Sequence, residues 1–183
     1  MANEDNIIIQ RIHSGEIQEF GLLVNRHGPA LMAFVGRIVE QQEDAEDVVQ
    51  NAFVAAYEHL KDYDPQRAPL SIWLLRIAYH EALYHLRKRK RQTLLPLDVG
   101  DDVPDELPET TTAEQLNKAI QKLPPEDQML LQLYYFDERP LKEIAYIIGT
   151  AGNSLNREVS RLSSQLHRIR QRLRIILTRM NNE

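Results

Sequence analysis

Residues 44–91 carry two kinds of charged surface, at spacings that suit binding to partners rather than covalent chemistry. Asp44, Glu46 and Asp47 fall within about one helical turn, and a run of basic residues, Arg87–Arg91, closes the stretch. Carboxylates grouped in this way can dock against a basic patch on another protein, although such a triplet is also typical of a solvated helix start. A metal site is not indicated, because no second group of ligands accompanies the triplet.

The predicted helix that leads into the basic run is rich in ring side chains. These rings belong to Trp73, Tyr79, His80 and Tyr84. Bases stack on rings while cations follow the phosphates, so aromatic residues beside Lys and Arg suit single-stranded DNA. A lone Trp is also typical of a protein core, and a basic run is also typical of a solvated helix end. Because rings and cations occur together in this segment, binding to nucleic acid is as well supported as these simpler interpretations.

The formal net charge of −5 hides a segregation of charge along the chain. The five residues of Arg87–Arg91 and the seven arginines at positions 157, 161, 168, 170, 172, 174 and 179 make twelve of the 22 Lys and Arg residues. Between Leu97 and Leu116 there are seven acidic residues and no basic one. The sequence therefore describes two basic zones separated by an acidic segment.

Composition excludes several classes of protein. The chain has no cysteine, which rules out disulfides and thiolate metal sites and fits a reducing compartment. No apolar run approaches the roughly eighteen residues of a membrane span, and Met1–Asp5 lacks the basic start of a secretion signal. No nucleophile–base pair, metal cluster or glycine-rich phosphate loop is apparent. We therefore expect a soluble, cytoplasmic protein that is not an enzyme, has no catalytic or metal-binding residue and needs no cofactor.

Apolar residues recur at helical spacing through most of the chain, which predicts an all-α fold. In the first part, Gly28-Pro29 marks a helix start or bend, Asp44 can stabilise the first turn of a helix, and Ser71 is a plausible cap. The apolar stripe of the helix after Asp44 includes Phe53 and Tyr57.

Three ranges summarise the predicted organisation. Residues 5–92 form a first helical domain, and residues 93–112, with three prolines, six acidic residues and no basic one, form a linker. Residues 113–178 form a second helical domain. The predicted fold class is thus two small helical domains joined by a flexible acidic linker.

The second domain contains two short helical patterns separated by Gly149-Thr150-Ala151-Gly152, which resembles a helix-turn-helix between Leu141 and about Leu166. An ordinary pair of antiparallel helices would give the same pattern. If the element binds DNA, its second helix lies in the major groove. The side chains then available to DNA are Asn153, Ser154, Asn156, Arg157 and Arg161.

The last helix also carries an apolar seam with alternating spacings of four and three, from Leu155 to Ile176. Such a seam can be a coiled-coil dimer face. We favour an intramolecular core for its first half, because the preceding helices need a surface on which to bury their own apolar sides. The oligomeric state stays open at this point.

Taken together, these motifs resemble the extracytoplasmic-function group of the sigma-70 family, the initiation subunits of bacterial RNA polymerase. The string Asp44-Ala45-Glu46-Asp47-Val48-Val49-Gln50-x-x-Phe53 is similar to that family's DAEDxxQxxF. It is followed at the family's distance by Trp73-Leu74-x-x-Ile77-Ala78 and Leu86-Arg87-Lys88-Arg89. Farther along, Ala119-Ile120-x-x-Leu123-Pro124-Pro125 and Leu141-Lys142-Glu143-Ile144-Ala145 resemble the start of region 4 and its helix-turn-helix.

The resemblance implies a role for each motif. Docking on the clamp helices of the polymerase β′ subunit is implied for Asp44, Glu46, Asp47, Gln50 and Phe53. Opening and holding the promoter −10 element is implied for Trp73, Arg76, Ile77, Tyr79, His80, Tyr84, Arg87, Lys88, Arg89, Lys90 and Arg91. The second domain would rest on the β-subunit flap and read the −35 element, while the acidic linker would run toward the active-site cleft. An anti-sigma factor or a recruiting protein is a further expected partner, and a membrane is not.

Some residues depart from the family pattern. Tyr79-His80 stands where the family commonly has Arg-Asn, and Tyr84 where it frequently has Asp, so recognition of the −10 sequence is expected to differ. Glu158 replaces a basic residue near expected phosphates, and the arginines gather farther on, from Arg168 to Arg174. We therefore hypothesise that the second domain binds −35 DNA weakly, and that recruitment depends partly on another protein or an unusual DNA contact.

Two other classes of protein are alternatives to a sigma factor. A free-standing helix-turn-helix regulator would bind duplex DNA without polymerase, but it leaves the acidic surface at residues 44–47 without a purpose. A helical protein-interaction module leaves the order of both sets of motifs unexplained.

Overall fold

In the computed structural model, the chain is described for residues 2–90, 112–149 and 155–181. These residues form α-helices joined by short 3₁₀, π and irregular turns, with no strand among them, which confirms the all-α prediction. The chain divides into two compact units, Met1–Lys88 and Arg89–Glu183. Of the predicted linker, 93–112, only Thr112 lies within the described residues.

The N-terminal unit consists of four helices. They are α1 (Ala2–His13), α2 (Phe20–Val35), α3 (Gln42–Glu58) and α4 (Leu70–Lys90), with 3₁₀ turns at Ile17–Glu19 and Leu60–Asp62. Their apolar stripes meet in one core, in which Leu23, Val35, Ala52 and Ala78 are almost fully buried. A buried carboxylate ties α1 to α2, because Asp5 accepts a hydrogen bond of 2.6 Å from Arg26 and lies 3.2 Å from Nε2 of His27.

Local predictions for the helix starts of this unit had mixed outcomes. Helix α2 continues through Pro29, so Gly28-Pro29 does not mark a helix start; the missing N–H of Pro29 costs about 3 kcal/mol in a helix interior but is offset by burial of the surrounding apolar residues. Helix α3 begins at Gln42, and Asp44 lies in its first turn, as predicted. At the start of α4 the carbonyl of Pro69 accepts bonds from the N–H groups of Ile72 and Trp73, and Ser71 lies inside the helix.

In the described residues of the C-terminal unit there are also four helices that begin after residue 111. They are α5 (Ala113–Gln121), α6 (Pro125–Leu131, followed by a π turn at Gln132–Phe136), α7 (Leu141–Ile148) and α8 (Leu155–Asn181). Thr112 caps α5 with a reciprocal capping box to Gln115, which in turn donates a 2.9 Å hydrogen bond to Asn181 at the far end of α8. On α5, a 2.7 Å hydrogen bond from Lys118, together with its positive charge, lowers the pKa of Glu114.

The seam of α8 is the core of this unit. Leu162, Leu166, Ile169, Leu173 and Ile176 are buried, and α8 packs against α5, α6 and α7. Only Leu155, at the start of the seam, is exposed, so both halves of the seam are used within the chain. The end of α7 requires Gly149, because a Cβ atom at this position would clash with the carbonyl oxygen of Ala145.

Candidate protein and nucleic-acid interfaces

Helix α3 has an exposed acidic surface, but not all of the residues predicted for it are exposed. Glu46, Asp47 and Gln50 are exposed, and Glu46 accepts a 2.8 Å hydrogen bond from Gln42. The side chain of Asp44 is nearly three-quarters buried and lies 3.6 Å from Nε2 of His85 on α4. Phe53 is buried, so it supports this surface from beneath and does not offer its ring to a partner.

Two apolar residues missed by the sequence analysis extend this surface. Val54 and Tyr57 follow Asp47 and Gln50 at helical spacing and are 53% and 41% exposed. The ring of Phe20 lies edge-on to the rings of Phe53 and Tyr57, with centroids 6.4 and 5.2 Å away, and so packs against Tyr57 at the end of this surface. Continuing the spacing from Asp47 would have identified both residues, but Tyr57 was assigned to the core stripe instead. We call Asp47, Gln50, Val54 and Tyr57 the α3 row.

Helix α4 presents a second row on one side. Its members recur at three- and four-residue spacings: Trp73, Ile77, His80, Tyr84 and Arg87. Trp73 is half-buried against the ring of Tyr63 at 5.3 Å, whereas Tyr84 is 69% exposed, the largest exposure among the large hydrophobic side chains of the described residues. The α4 row therefore begins at the half-buried ring of Trp73, continues with the exposed rings of His80 and Tyr84, and ends at the basic end of the helix.

The remaining residues predicted for −10 DNA are distributed unevenly around α4. Arg76 is half-buried, Lys88 and Arg89 are exposed, Lys90 is the last residue of the helix, and Arg91 lies outside the described residues. Tyr79 is only 2% exposed, which contradicts the expectation that its ring is available to DNA. Its ring edge packs at 5.1 Å from His80, so Tyr79 supports the α4 row from the core.

In the C-terminal unit, Glu158 is not placed as the sequence analysis expected. It is 6% exposed, and its Oε2 accepts a 2.9 Å hydrogen bond from Nε of Arg161 and lies 2.9 Å from Nη2 of the same guanidinium. A buried, paired carboxylate repels phosphate far less than a free one on the DNA-facing side would. The repulsion argument against −35 binding was therefore wrong.

The other residues predicted for −35 DNA lie at the start of α8. Asn156 and Arg157 are exposed, while Asn153 and Ser154 lie outside the described residues. Arg161 is half-exposed, with its guanidinium held by Glu158. The described part of this region thus offers one amide and two arginines on the outer side of the helix.

Metal and membrane sites receive no support. Among the described residues, no group of three His, Cys, Asp or Glu side chains is arranged to hold a metal ion. Within the same residues, no helix has the length and apolar character needed to cross a membrane.

Known protein families match both units in order. The Sigma-70 region 2 family matches residues 23–92, and the Sigma-70 region 4 family matches residues 113–173. The chain is 29% identical to the ECF RNA polymerase sigma factor SigW of Bacillus subtilis, over 91% of this chain and 92% of that protein. It is 37% identical to the RNA polymerase sigma factor CnrH of Cupriavidus metallidurans, but this match spans 53% of the chain and 51% of CnrH.

Solved structures agree with this assignment. The structure of CnrH in complex with the cytosolic domain of CnrY has a TM-score of 0.61 at 25% identity, covering 95% of this chain and 97% of that one. The sigma factor RpoE in complex with the anti-sigma factor NepR from Bartonella quintana shares the fold, with a TM-score of 0.57 at 21% identity over 88% of this chain and 98% of that one.

Two helical units that match region 2 and region 4 in this order define a transcription initiation factor. The chain belongs to the extracytoplasmic-function group of the sigma-70 family. As a sigma factor it binds core RNA polymerase and directs promoter recognition and transcription initiation, without being an enzyme. The free-standing regulator is not favoured, because a region 2 match precedes the helix-turn-helix.

Proposed function

We propose that the α3 row docks on the polymerase and that the α4 row captures the melted −10 strand. The observation that supports this division is that two surfaces of different chemistry lie on neighbouring helices of one unit, joined where Asp44 meets His85. The ranges 5–92, 93–112 and 113–178 are proposed as region 2, the acidic linker and region 4.

The docking surface combines charge with an apolar end. Glu46 and Asp47 complement a basic partner, Gln50 adds an amide, and Val54 and Tyr57 supply apolar area. Electrostatic complementarity speeds association and selects the partner, while a desolvated aromatic anchor supplies much of the affinity. The clamp helices of the β′ subunit are the proposed partner, and Asp44 and Phe53 position the row without forming its outer surface.

The α4 row suits a strand that has left the duplex. Melting costs about 1.4 kcal/mol of stacking per base-pair step, and a base stacked on an aromatic ring recovers about 1–3 kcal/mol. The exposed ring of Tyr84 is the residue best placed for stacking, with His80 one turn before it and Arg87 about one turn after it. Trp73, Arg76 and Ile77 would meet the strand at the other end of the row.

Region 4 is proposed to read the −35 element directly. Asn156, Arg157 and Arg161 are the described residues for this contact, with Asn153 and Ser154 assigned from the sequence alone. Burial of Glu158 removes the reason for expecting weak binding. Footprinting with core polymerase separates direct reading, which protects a specific −35 sequence, from recruitment by another protein, which does not.

Because CnrH and RpoE were solved with CnrY and the anti-sigma factor NepR, an anti-sigma factor is a reasonable further partner for this chain. We propose that the protein acts in the cytoplasm, where core polymerase and chromosomal DNA are found.

Charge reversal tests the docking assignment. The double variant Glu46→Lys/Asp47→Lys should reduce binding to core polymerase by at least tenfold while leaving the helical circular dichroism spectrum unchanged. Glu16→Lys reverses one exposed acid in the turn between α1 and α2 and serves as a control for charge reversal away from α3, against the single variant Glu46→Lys. Undiminished polymerase binding by the double variant would refute the assignment. Mapping transcription start sites on a genomic library, with and without the chain, identifies its promoters.

A further inference from the structure

A cavity of about 210 Å³ opens on the C-terminal unit beside the middle of α8. It is lined by Asp127, Gln165, Arg168, Ile169 and Arg172. Asp127 is buried, and each of its carboxylate oxygens is occupied: Oδ1 accepts a 2.8 Å hydrogen bond from Gln165, and Oδ2 a 2.9 Å bond from Arg172. The donors left to face the cavity therefore come from the arginines.

Of the two arginines that line the cavity, Arg168 is the one for which the described residues provide no partner. It is exposed, and within the described residues no carboxylate or carbonyl satisfies its guanidinium. After Glu158, the described part of α8 contains no acidic residue. The cavity thus combines one free guanidinium with a second that Asp127 holds in place, a donor set that fits an anion with several acceptor oxygens.

The cavity also lies on the same side of α8 as the residues proposed to read DNA. Arg157, Arg161, Arg168 and Arg172 are separated by four, seven and four residues, which keeps them within about 60° around a helix of 3.6 residues per turn. Arg168 lies about 10 Å along the axis from Arg161. The major groove is about 12 Å wide, so a helix whose first turns meet the bases can bring Arg168 to the phosphates at its edge.

We propose that Arg168 and Arg172 form a binding site for a phosphodiester of the duplex backbone, outside the residues that read the −35 bases. This inference rests on the proposed function of region 4 and deepens it. Asp127 and Gln165 are positioning residues, because they orient Arg172 and do not reach the phosphate themselves. Phosphate contacts position a protein on DNA without reading sequence, so this site strengthens binding to all −35 sequences alike.

A charge-matched pair of variants tests the proposal. Arg168→Ala and Arg170→Ala each remove one exposed arginine, but residue 170 projects about 200° away from residue 168 around the helix, and Arg170 donates to the carbonyl of Leu166. Binding of polymerase holoenzyme to a duplex carrying the mapped promoter is measured over a range of salt concentrations. Arg168→Ala should weaken binding roughly tenfold and reduce the slope of log K against log salt by about 0.9. Arg170→Ala should change affinity less than twofold.

Two results would overturn the proposal alone: equal losses for both variants, or wild-type affinity for Arg168→Ala. A change in the ranking of −35 sequences by Arg168→Ala would also overturn it, because a phosphate contact does not select bases. Failure of the wild-type holoenzyme to bind any promoter would instead overturn the proposed function, and this inference with it.

Discussion

Nε2 of His85 on α4 lies 3.6 Å from Oδ2 of Asp44 on α3, which ties together the two helices that carry the proposed docking and DNA surfaces. Both side chains are about three-quarters buried, and the distance fits an ion pair but is too long for a hydrogen bond. This contact helps to fix the separation of the α3 row from the α4 row. Asp44 therefore contributes to the fold as well as to the charge of the acidic surface.

We expect Asp44→Asn to separate these two contributions. Loss of a partly buried pair should lower the free energy of unfolding by about 0.5–1 kcal/mol, because one charge is removed while the amide still fills the space. Polymerase affinity should fall less than threefold. Denaturant unfolding and a polymerase-binding titration provide the measurements. An affinity loss as large as that of Glu46→Lys/Asp47→Lys would instead place Asp44 within the docking surface.

Tyr84 is expected to act through its ring. Tyr84→Ala should weaken binding of the holoenzyme to a template with a pre-melted −10 region by roughly 1–3 kcal/mol, the usual contribution of one stacked base. Tyr84→Phe keeps the ring and should bind within about twofold of wild type. Equal losses in the two variants would show that the hydroxyl group, and not stacking, makes the contact.

Tyr79 should behave differently from Tyr84, although it was assigned to the same DNA surface from sequence. Because it is buried beside His80, Tyr79→Ala should lower the free energy of unfolding by about 3–5 kcal/mol, a cost typical of large-to-small aromatic changes in a core. Thermal denaturation measures this effect. If Tyr79→Ala has wild-type stability but no longer binds the melted template, Tyr79 belongs to the DNA-binding surface after all.

Glu158 and Arg161 should be strongly coupled in stability. Arg161→Ala removes a hydrogen bond and an ion pair from a buried carboxylate and should cost about 2 kcal/mol or more. Adding Glu158→Ala removes the buried charge that has lost this arginine and should recover part of the loss, giving a coupling energy of about 1–3 kcal/mol in a double-mutant cycle of unfolding free energies. Additive losses would show that the pair is not formed in solution.

Two glycines give opposite predictions for the same substitution. Gly149→Ala forces a Cβ against the carbonyl of Ala145 and should destabilise the C-terminal unit by about 1–3 kcal/mol or more, with a parallel loss of −35 binding. Gly21→Ala meets no atom within 4 Å inside α2 and should be stabilising by about 0.5–1 kcal/mol. Unfolding of each variant, followed by circular dichroism, tests both; wild-type stability of Gly149→Ala would contradict the close approach at the end of α7.

The sequence by itself determined the all-α class and the existence of charged surfaces of opposite sign. Helical periodicity and segregated charge depend only on residue order, so the acidic start of α3, the basic end of α4 and the helix pair at Leu141–Leu166 could be predicted without a structure. Helix starts were less certain, because Pro69 and Gln41 begin α4 and α3 through their backbones, which residue type does not reveal.

Only the tertiary structure decided which members of each motif face solvent. Tyr79 and Tyr84 have the same chemistry and lie on one helix, yet neighbouring helices bury the first and leave the second exposed. In the same way, Phe53 is buried and Tyr57 is exposed on α3. Glu158, which was expected to repel DNA from the surface, is instead the buried partner of Arg161. Burial and pairing depend on residues that are distant in the chain, and for that reason they could not be read from the spacing of a motif.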